Sequence, residues 1–419
     1  MNQKFFPKPP PADPLPLEVW LRDTDRAEVG REPFFKGRDS EYRIFQNAVS
    51  NLKAGRVGGG TMIFQGAPGA GKTALMMECM EAVRQHSTLD EPWVAVSVNP
   101  GSLEFPGTVV STIVTAINTE NNRLLEHLPD TRTRWLKKVL NEGEKLLHEM
   151  TSWNISVEGI SLSKKEHAAS AQQLFIHASS FLKNYHIVVF VDEAQNTPNT
   201  FSVRDVLDCL HRDTQGIPLI TAFFGLSDTE SMLVKRGLSR PARRRVFSLE
   251  MLSEDDAKCA IQSVFDVYGF NGSGHEDWID ALAGLSQNWP QHISSVSFAA
   301  GQVIRDHGGK LNRGLLSKVL HLGQEMKEEY YASRLRACTQ DLSVYKRIAI
   351  ALNEQTDGTL SRSKLRRLTA PLLQNSTTFD DFLSNALHVG ILEEKPKVPQ
   401  YFRIPIPSFG DYLRALLDD

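Results

Sequence analysis

Cysteine is scarce in this chain, with four in 419 residues. Cys79, Cys209, Cys259 and Cys338 lie far apart, with no C-x-x-C pair and no histidine at ligand spacing. That excludes a disulfide framework and a structural zinc site, and it predicts a reducing compartment. Long apolar runs are missing too. The longest, Ile187 to Val191, is far below the roughly 20 residues needed to cross a bilayer. The opening M-N-Q-K-F-F-P-K-P-P-P has no apolar core of a signal peptide. A soluble, cytoplasmic protein with no membrane partner is expected. Net charge is also lacking: a formal −3 gives no global attraction to nucleic acid or anionic lipid, so any such binding needs a local patch. What is present, 41% hydrophobic and 23% charged residues, is ordinary for a globular protein, and the length asks for two or three domains.

The most informative stretch is T-M-I-F-Q-G-A-P-G-A-G-K-T-A-L, from Thr61 to Leu75. Thr61 to Gln65 reads as a buried strand, and Ala74 onward turns helical. Between them Gly66, Ala67, Pro68, Gly69, Ala70, Gly71, Lys72 and Thr73 fill G-x-x-x-x-G-K-[ST]. The glycines let backbone N–H groups close around phosphate oxygens, the helix N-terminus adds positive potential and Lys72 supplies a mobile charge. Thr73 is the expected Mg²⁺ ligand. The pattern predicts nucleotide binding by residues 66 to 74, with ATP and Mg²⁺ as ligands.

A second apolar strand, Ile187 to Val191, runs into Asp192, Glu193, Ala194 and Gln195. A metal needs a hard anionic ligand and an attacking water needs a separate base. Asp192 is therefore expected on the Mg²⁺ side and Glu193 on the nucleophile, with Lys72 serving the phosphates. Pro92 to Asn99 and Pro218 to Phe224 read as further buried strands. Asn99 is either a polar residue that restrains Glu193 or a plain strand end.

Ahead of the first strand, Phe35, Gly37, Arg38 and Glu41 spell aromatic-x-G-R-x-x-E before an amphipathic helix. With the two phosphate-site motifs, this resembles AAA+ ATPases of the origin-recognition and initiator type and STAND-type, archaeal-type ATPases. The resemblance implies an α/β fold: an AAA+ P-loop core on a parallel five-stranded sheet, a helical lid and a C-terminal winged helix. It places Phe35, Gly37 and Arg38 on the adenine side. It makes Gly225-Leu226-Ser227-Asp228 a sensor loop, with Ser227 favoured because Asp228 would add negative charge beside phosphate. Arg240 becomes the arginine that completes a neighbour's ATP site, with Arg243 and Arg244 as alternatives. A DNA-phosphate patch and a solvated basic turn stay open for the same cluster. In the lid, Trp289 and Pro290 side with the STAND-like pattern, Pro290 lying against the nucleotide, and no second sensor arginine is present.

The implied organisation is a proline-rich arm at 1–34 and an ATPase core at 35–252 with an insertion at about 101–185. A lid with a linking helix at 253–340 and a winged helix at 341–419 complete it. Within the insertion, Trp153 to Leu162 alternates like a β-hairpin. The expected function is an ATP-hydrolysing switch that forms homo-oligomers through its ATP site and regulates partner proteins, of the mobile-element or phage-defence type. The alternative is a DNA-binding initiator or loader acting on duplex DNA. The third helix of the winged unit offers Asp380, Asp381, Asn385 and His388, poor donors for base edges, which favours a protein-contact role.

Overall fold

The computed structural model describes residues 8–10, 12, 31–53, 60–126, 133–152, 170–211, 216–238, 244–270, 274–308, 310–338, 340, 342–373, 377–395 and 398–416. Five short strands, β1 (Thr61–Gln65), β2 (Trp93–Ser97), β3 (His186–Val191), β4 (Leu219–Gly225) and β5 (Arg244–Ser248), form one sheet in the order β2-β3-β4-β1-β5. Every neighbouring pair is parallel, with Ile63 beside Phe223 and Val246, and Val189 beside Thr221. Parallel strands are covered on both faces, so they read as continuous apolar runs. Alternate side chains then leave for opposite layers.

Met62, Phe64, Val188, Phe190, Ala222 and Phe224 pack against α1 (Asp39–Lys53) and α2 (Lys72–His86). Ile63, Ile187, Val189, Val191 and Phe223 pack against α3 (Pro106–Glu126), α5 (Ala171–Leu182) and α6 (Phe201–His211). Burying each such side chain stabilises the fold by about 1.5–3 kcal/mol. The long connection between β2 and β3 is helical, with α4 (Thr133–Ser152) between α3 and α5. The hairpin expected at 153–162 lies outside the described residues.

After the short α7 (Thr229–Lys235) and β5, three helices form their own apolar cluster: α8 (Glu254–Tyr268), α9 (His275–Ser286) and α10 (Pro290–Asp306). Ser253 caps α8, its side chain accepting from Asp256 N. The linking helix α11 (Leu316–Leu335) starts in that cluster through Val319 and ends among residues of the first one, where Tyr331 stacks on Phe409.

The C-terminal segment runs α12 (Leu342–Asn353), β6 (Leu360–Ser361), α13 (Arg362–Thr369), α14 (Phe379–His388), β7 (Glu393–Glu394), β8 (Tyr401–Arg403) and α15 (Phe409–Ala415). Its three strands pair antiparallel in the order β6-β8-β7. The expectation of a winged helix at 341–419 includes neither β6 nor α15. β6 has two residues, and α15 shows its apolar face only once Phe409 and Leu413 meet α11 and α12. Among the described residues no helix is long and apolar enough to cross a membrane.

Candidate functional site

The loop that leaves β1 turns through Gly69 and Gly71, whose φ values of 79° and 83° are left-handed. Only glycine takes these without strain, and Gly69 also lacks room for a side chain. A Cβ there would lie 2.7 Å from Gln291 Cβ and 2.9 Å from both Trp289 Nε1 and the Tyr330 hydroxyl oxygen. The tip of the loop is thus clamped by the start of α10 and by α11, and Gln291 N donates to the Gly69 carbonyl at 3.1 Å.

Lys72, the first residue of α2, is 7% exposed, and its Nζ donates to the carbonyls of Gly66 (3.1 Å) and Ala67 (3.0 Å) of its own loop. Burial pushes its pKa down, against the pull of Glu193 and Asp192. A buried ammonium that bonds only its own loop, over a turn of glycines and a helix N-terminus, fits an incoming polyphosphate.

Beside it, Thr73 Oγ1 donates to Asp192 Oδ2 at 2.7 Å. Burial pushes the Asp192 carboxyl up, and the Thr73 bond opposes that. This puts two hard oxygens together, the donor type a divalent cation prefers when phosphate supplies the remaining ligands. Among the described residues no cluster of three or more His, Cys, Asp or Glu could hold a metal by itself.

Glu193 follows at φ 48°, a left-handed turn that ends β3 and leaves its side chain exposed. Its carboxylate accepts from Gln195 Nε2, and Gln195 Oε1 accepts from Leu226 N at 3.1 Å. Gln195 is 5% exposed and needs Gly225 beside it, where a Cβ would come within 2.7 Å of its Oε1. Asn99 does not take this part. Its side chain accepts from Gly101 N at 2.8 Å and caps a short turn, the plain strand-end alternative. The D-E-A-Q run was visible in the sequence. Nothing in it showed that the glutamine folds back onto the glutamate.

A cavity of about 410 Å³, in the range of small-ligand sites, is lined by Lys72, Thr73, Glu193 and Gln195; Asp192 is outside the lining and reaches it through its bond to Thr73. Phe35, Arg38, Thr73, Ala74 and Pro290 line it as the sequence reading expected. Gly37, at φ 74°, packs on the lid instead, where a Cβ would meet Asp256 Cβ at 2.7 Å. Arg38 acts as a brace: Nη2 donates to the carbonyls of Ala70 (2.8 Å) and Glu250 (2.6 Å), and Nη1 to Glu41. Its Nη groups are thus committed to the phosphate loop, to the entry to the lid and to the start of α1, while its Nε is buried without a partner among the described residues.

Ser227 is not among the lining residues, and its hydroxyl donates to Glu393 Oε2 of β7 at 2.6 Å. Asp228, pushed up by burial, is likewise outside the lining, so its charge is aimed elsewhere. Arg240 and Arg243 lie outside the described residues. Arg244 begins β5, where its backbone pairs beside Thr61.

Arg334 of α11 and His388 and Val389 at the end of α14 also line the cavity. No local pattern announces these walls, because they come from segments more than two hundred residues beyond the loop.

Residues 35–234 match a family model described as the AAA ATPase domain. Residues 35–234 are an AAA ATPase domain. The chain is accordingly an ATPase with a P-loop nucleotide-binding site. Strands β1 to β4, the phosphate loop and the Asp192–Glu193 pair fall inside the matched span, and β5 lies beyond it.

The walker-type ATPase PABY2304 of Pyrococcus abyssi has a similar fold, with 12% identity and a TM-score of 0.52 over 88% of this chain and 95% of its own. The ADP form of the Aeropyrum pernix ORC2 protein (13% identity, 90% and 93% covered) has a TM-score of 0.49. The ORC1 protein of the same organism in complex with DNA (14% identity, 95% of each chain covered) has a TM-score of 0.46. At those two scores the likeness is too loose to carry a ligand or a partner across. No curated protein has a sequence that matches this chain.

Proposed function

We propose that the chain is an ATP-driven switch that hydrolyses ATP, self-associates through its nucleotide site and regulates partner proteins. The observation that carries this reading is that a single cavity takes its walls from the core, the lid, the linking helix and the C-terminal unit. The AAA core gives Lys72 and Glu193, the lid gives Pro290, the linking helix gives Arg334 and the C-terminal unit gives His388. A ligand there has different contacts in each arrangement of those parts, which is what lets it shift their equilibrium.

The residues have distinct jobs. Backbone N–H groups of the loop and Lys72 hold the phosphates, Thr73 and Asp192 hold Mg²⁺, and Glu193 takes the proton of the attacking water. When bound, Mg²⁺ neutralises charge that develops on the phosphoryl oxygens. Phe35 and Pro290 supply apolar contact for the base. We read the C-terminal α12–β6–α13–α14–β7–β8 unit as a winged helix that contacts protein. Two cations of its basic helix have contacts within the unit: Arg362 donates to Asp380 at 2.7 Å, and Arg366 sits 5.7 Å from the centre of the Phe379 ring. The next helix, α14, carries Asp380 and Asp381 and neither lysine nor arginine, a poor match for base edges.

Lys72→Ala is expected to weaken ATP binding at least about tenfold, the scale of a lost charge-assisted bond. Glu193→Gln should keep binding and slow hydrolysis by about 10²–10⁴-fold. Sizing with a non-hydrolysable ATP analogue should show a larger species for Glu193→Gln, and Arg240→Ala should reduce turnover in that species only. An unchanged size with the analogue would sink the switch, and DNA retention that falls steeply with salt would favour the DNA-acting alternative.

A further inference from the structure

Four Lys and Arg side chains line the nucleotide cavity: Lys36, Arg38, Lys72 and Arg334. The Nη groups of Arg38 donate to Glu41 and to the Ala70 and Glu250 carbonyls, Lys72 lies on its own loop, and Lys36 is exposed. Arg334 is different. Its Nε, like that of Arg38, is buried without a hydrogen-bond partner, but its guanidinium has no other bond to a carbonyl or carboxylate among the described residues to hold it, and its guanidinium carbon sits 5.2 Å from the centre of the Tyr330 ring. Leaving a buried guanidinium donor unmet is costly, so such a group in a ligand cavity points to an acceptor that arrives with the ligand.

Its place in the fold says which acceptor. Tyr330 and Arg334 are one turn apart on α11, hence on one face of the helix. The Tyr330 hydroxyl oxygen lies 2.9 Å from where a Cβ on Gly69 would be, so that face passes over the tip of the phosphate loop. Arg334 and Lys72 line the same cavity. Two cations that repel each other across a cavity invite an anion between them. The lid segment Ser286 to His292 offers no Lys or Arg for the purpose.

We infer that Arg334 is a second cation for the terminal phosphate of the bound nucleoside triphosphate, supplied by the linking helix rather than by the core or the lid. A guanidinium on Tyr330 is already oriented, and its fork can meet two phosphoryl oxygens. Because α11 carries the C-terminal unit, this contact gives the linking helix different partners with a triphosphate and with a diphosphate.

The inference rests on the nucleotide reading of the site, and the test separates the two. Equilibrium binding of ADP and of a non-hydrolysable ATP analogue is measured on the full chain for wild type, Arg334→Ala, Arg334→Gln, Arg334→Lys and Lys72→Ala, with Tm for each. Arg334→Ala and Arg334→Gln should weaken the analogue by about 10–100-fold, the scale for a hydrogen bond to a charged group, and ADP by less than about threefold. Arg334→Lys should recover part of the difference. Equal weakening of both nucleotides, or neither, would overturn the inference, and a lowered Tm with an unchanged ratio would make Arg334 a packing residue. Arg334→Gln keeps a long side chain over Tyr330, so the ratio can be read even if the alanine variant folds poorly. If Lys72→Ala binds both nucleotides like wild type, the nucleotide reading itself fails.

Discussion

At the scale of single residues, the site depends on side chains that other side chains hold still. Glu193 sits at the end of a strand in a left-handed conformation that costs a non-glycine residue of order 1–3 kcal/mol, and Gln195 fastens its carboxylate to the backbone of the loop after β4. A base that must meet a water in one geometry gains from such restraint. Gln195→Ala should leave the nucleotide affinity within about twofold and slow single-turnover hydrolysis by about tenfold or more, since misplacing a catalytic group is costly. Hydrolysis at the wild-type rate would show that Glu193 positions itself.

Among the elements, the junction of lid and linking helix has a distinctive chemistry. His292 is fully buried in α10, its Nδ1 3.1 Å from the Ser286 carbonyl and its ring edge-on to Tyr330 and Tyr331 of α11. Burial, helped by the Lys327 cation, pushes its pKa down to about 3 from the usual 6.5. The unfolded chain takes up this proton as the pH falls below 6.5 and the folded chain does not until about 3, so the unfolded state binds more protons in between. Stability from this group is therefore full above 6.5 and is lost as the pH falls toward 3. His292→Gln, which cannot titrate, should be less stable than wild type at neutral pH, with the gap narrowing under acid; Tm profiles of the two proteins measure it. Parallel profiles from pH 7 to 4 would mean that His292 is protonated in the fold.

Over the whole molecule, the C-terminal unit closes onto the ATPase core through a short polar chain. Ser227, in the loop after β4, donates to Glu393, and Glu393 accepts from Arg403 Nη2 at 2.6 Å and Nε at 2.7 Å. Arg403 also lies 3.9 Å from Glu250, whose carbonyl takes a hydrogen bond from Arg38, the brace of the phosphate loop. Nearby, Gly390 abuts Pro68 of that loop. Glu393 is 5% exposed, so its removal leaves the half-buried Arg403 and the Ser227 hydroxyl without their shared partner. Glu393→Ala should raise amide hydrogen exchange in residues 377–416 and speed nucleotide release by about threefold to tenfold, the effect of loosening one wall by roughly 1 kcal/mol. Unchanged exchange in that segment would show the polar chain to be incidental.

Local order decided what could be read from the chain unaided. The phosphate loop needs glycines, lysine and threonine at consecutive positions because one turn must wrap one ligand. The Asp192–Glu193 pair follows its strand for a similar reason, and buried parallel strands advertise themselves as apolar runs. These features were legible because the physical demand and the residues that meet it lie within about one helical turn or one strand of each other. Gln195 bonding the backbone of Leu226, Arg38 serving as a brace, Ser227 spent on Glu393, and Arg334 and His388 entering the cavity all join residues that sequence distance hides. Spacing within a segment sets which groups are available. Only the packing of α10, α11 and α14 over the loop decides which of them face the same cavity, because that depends on how separate apolar surfaces find each other.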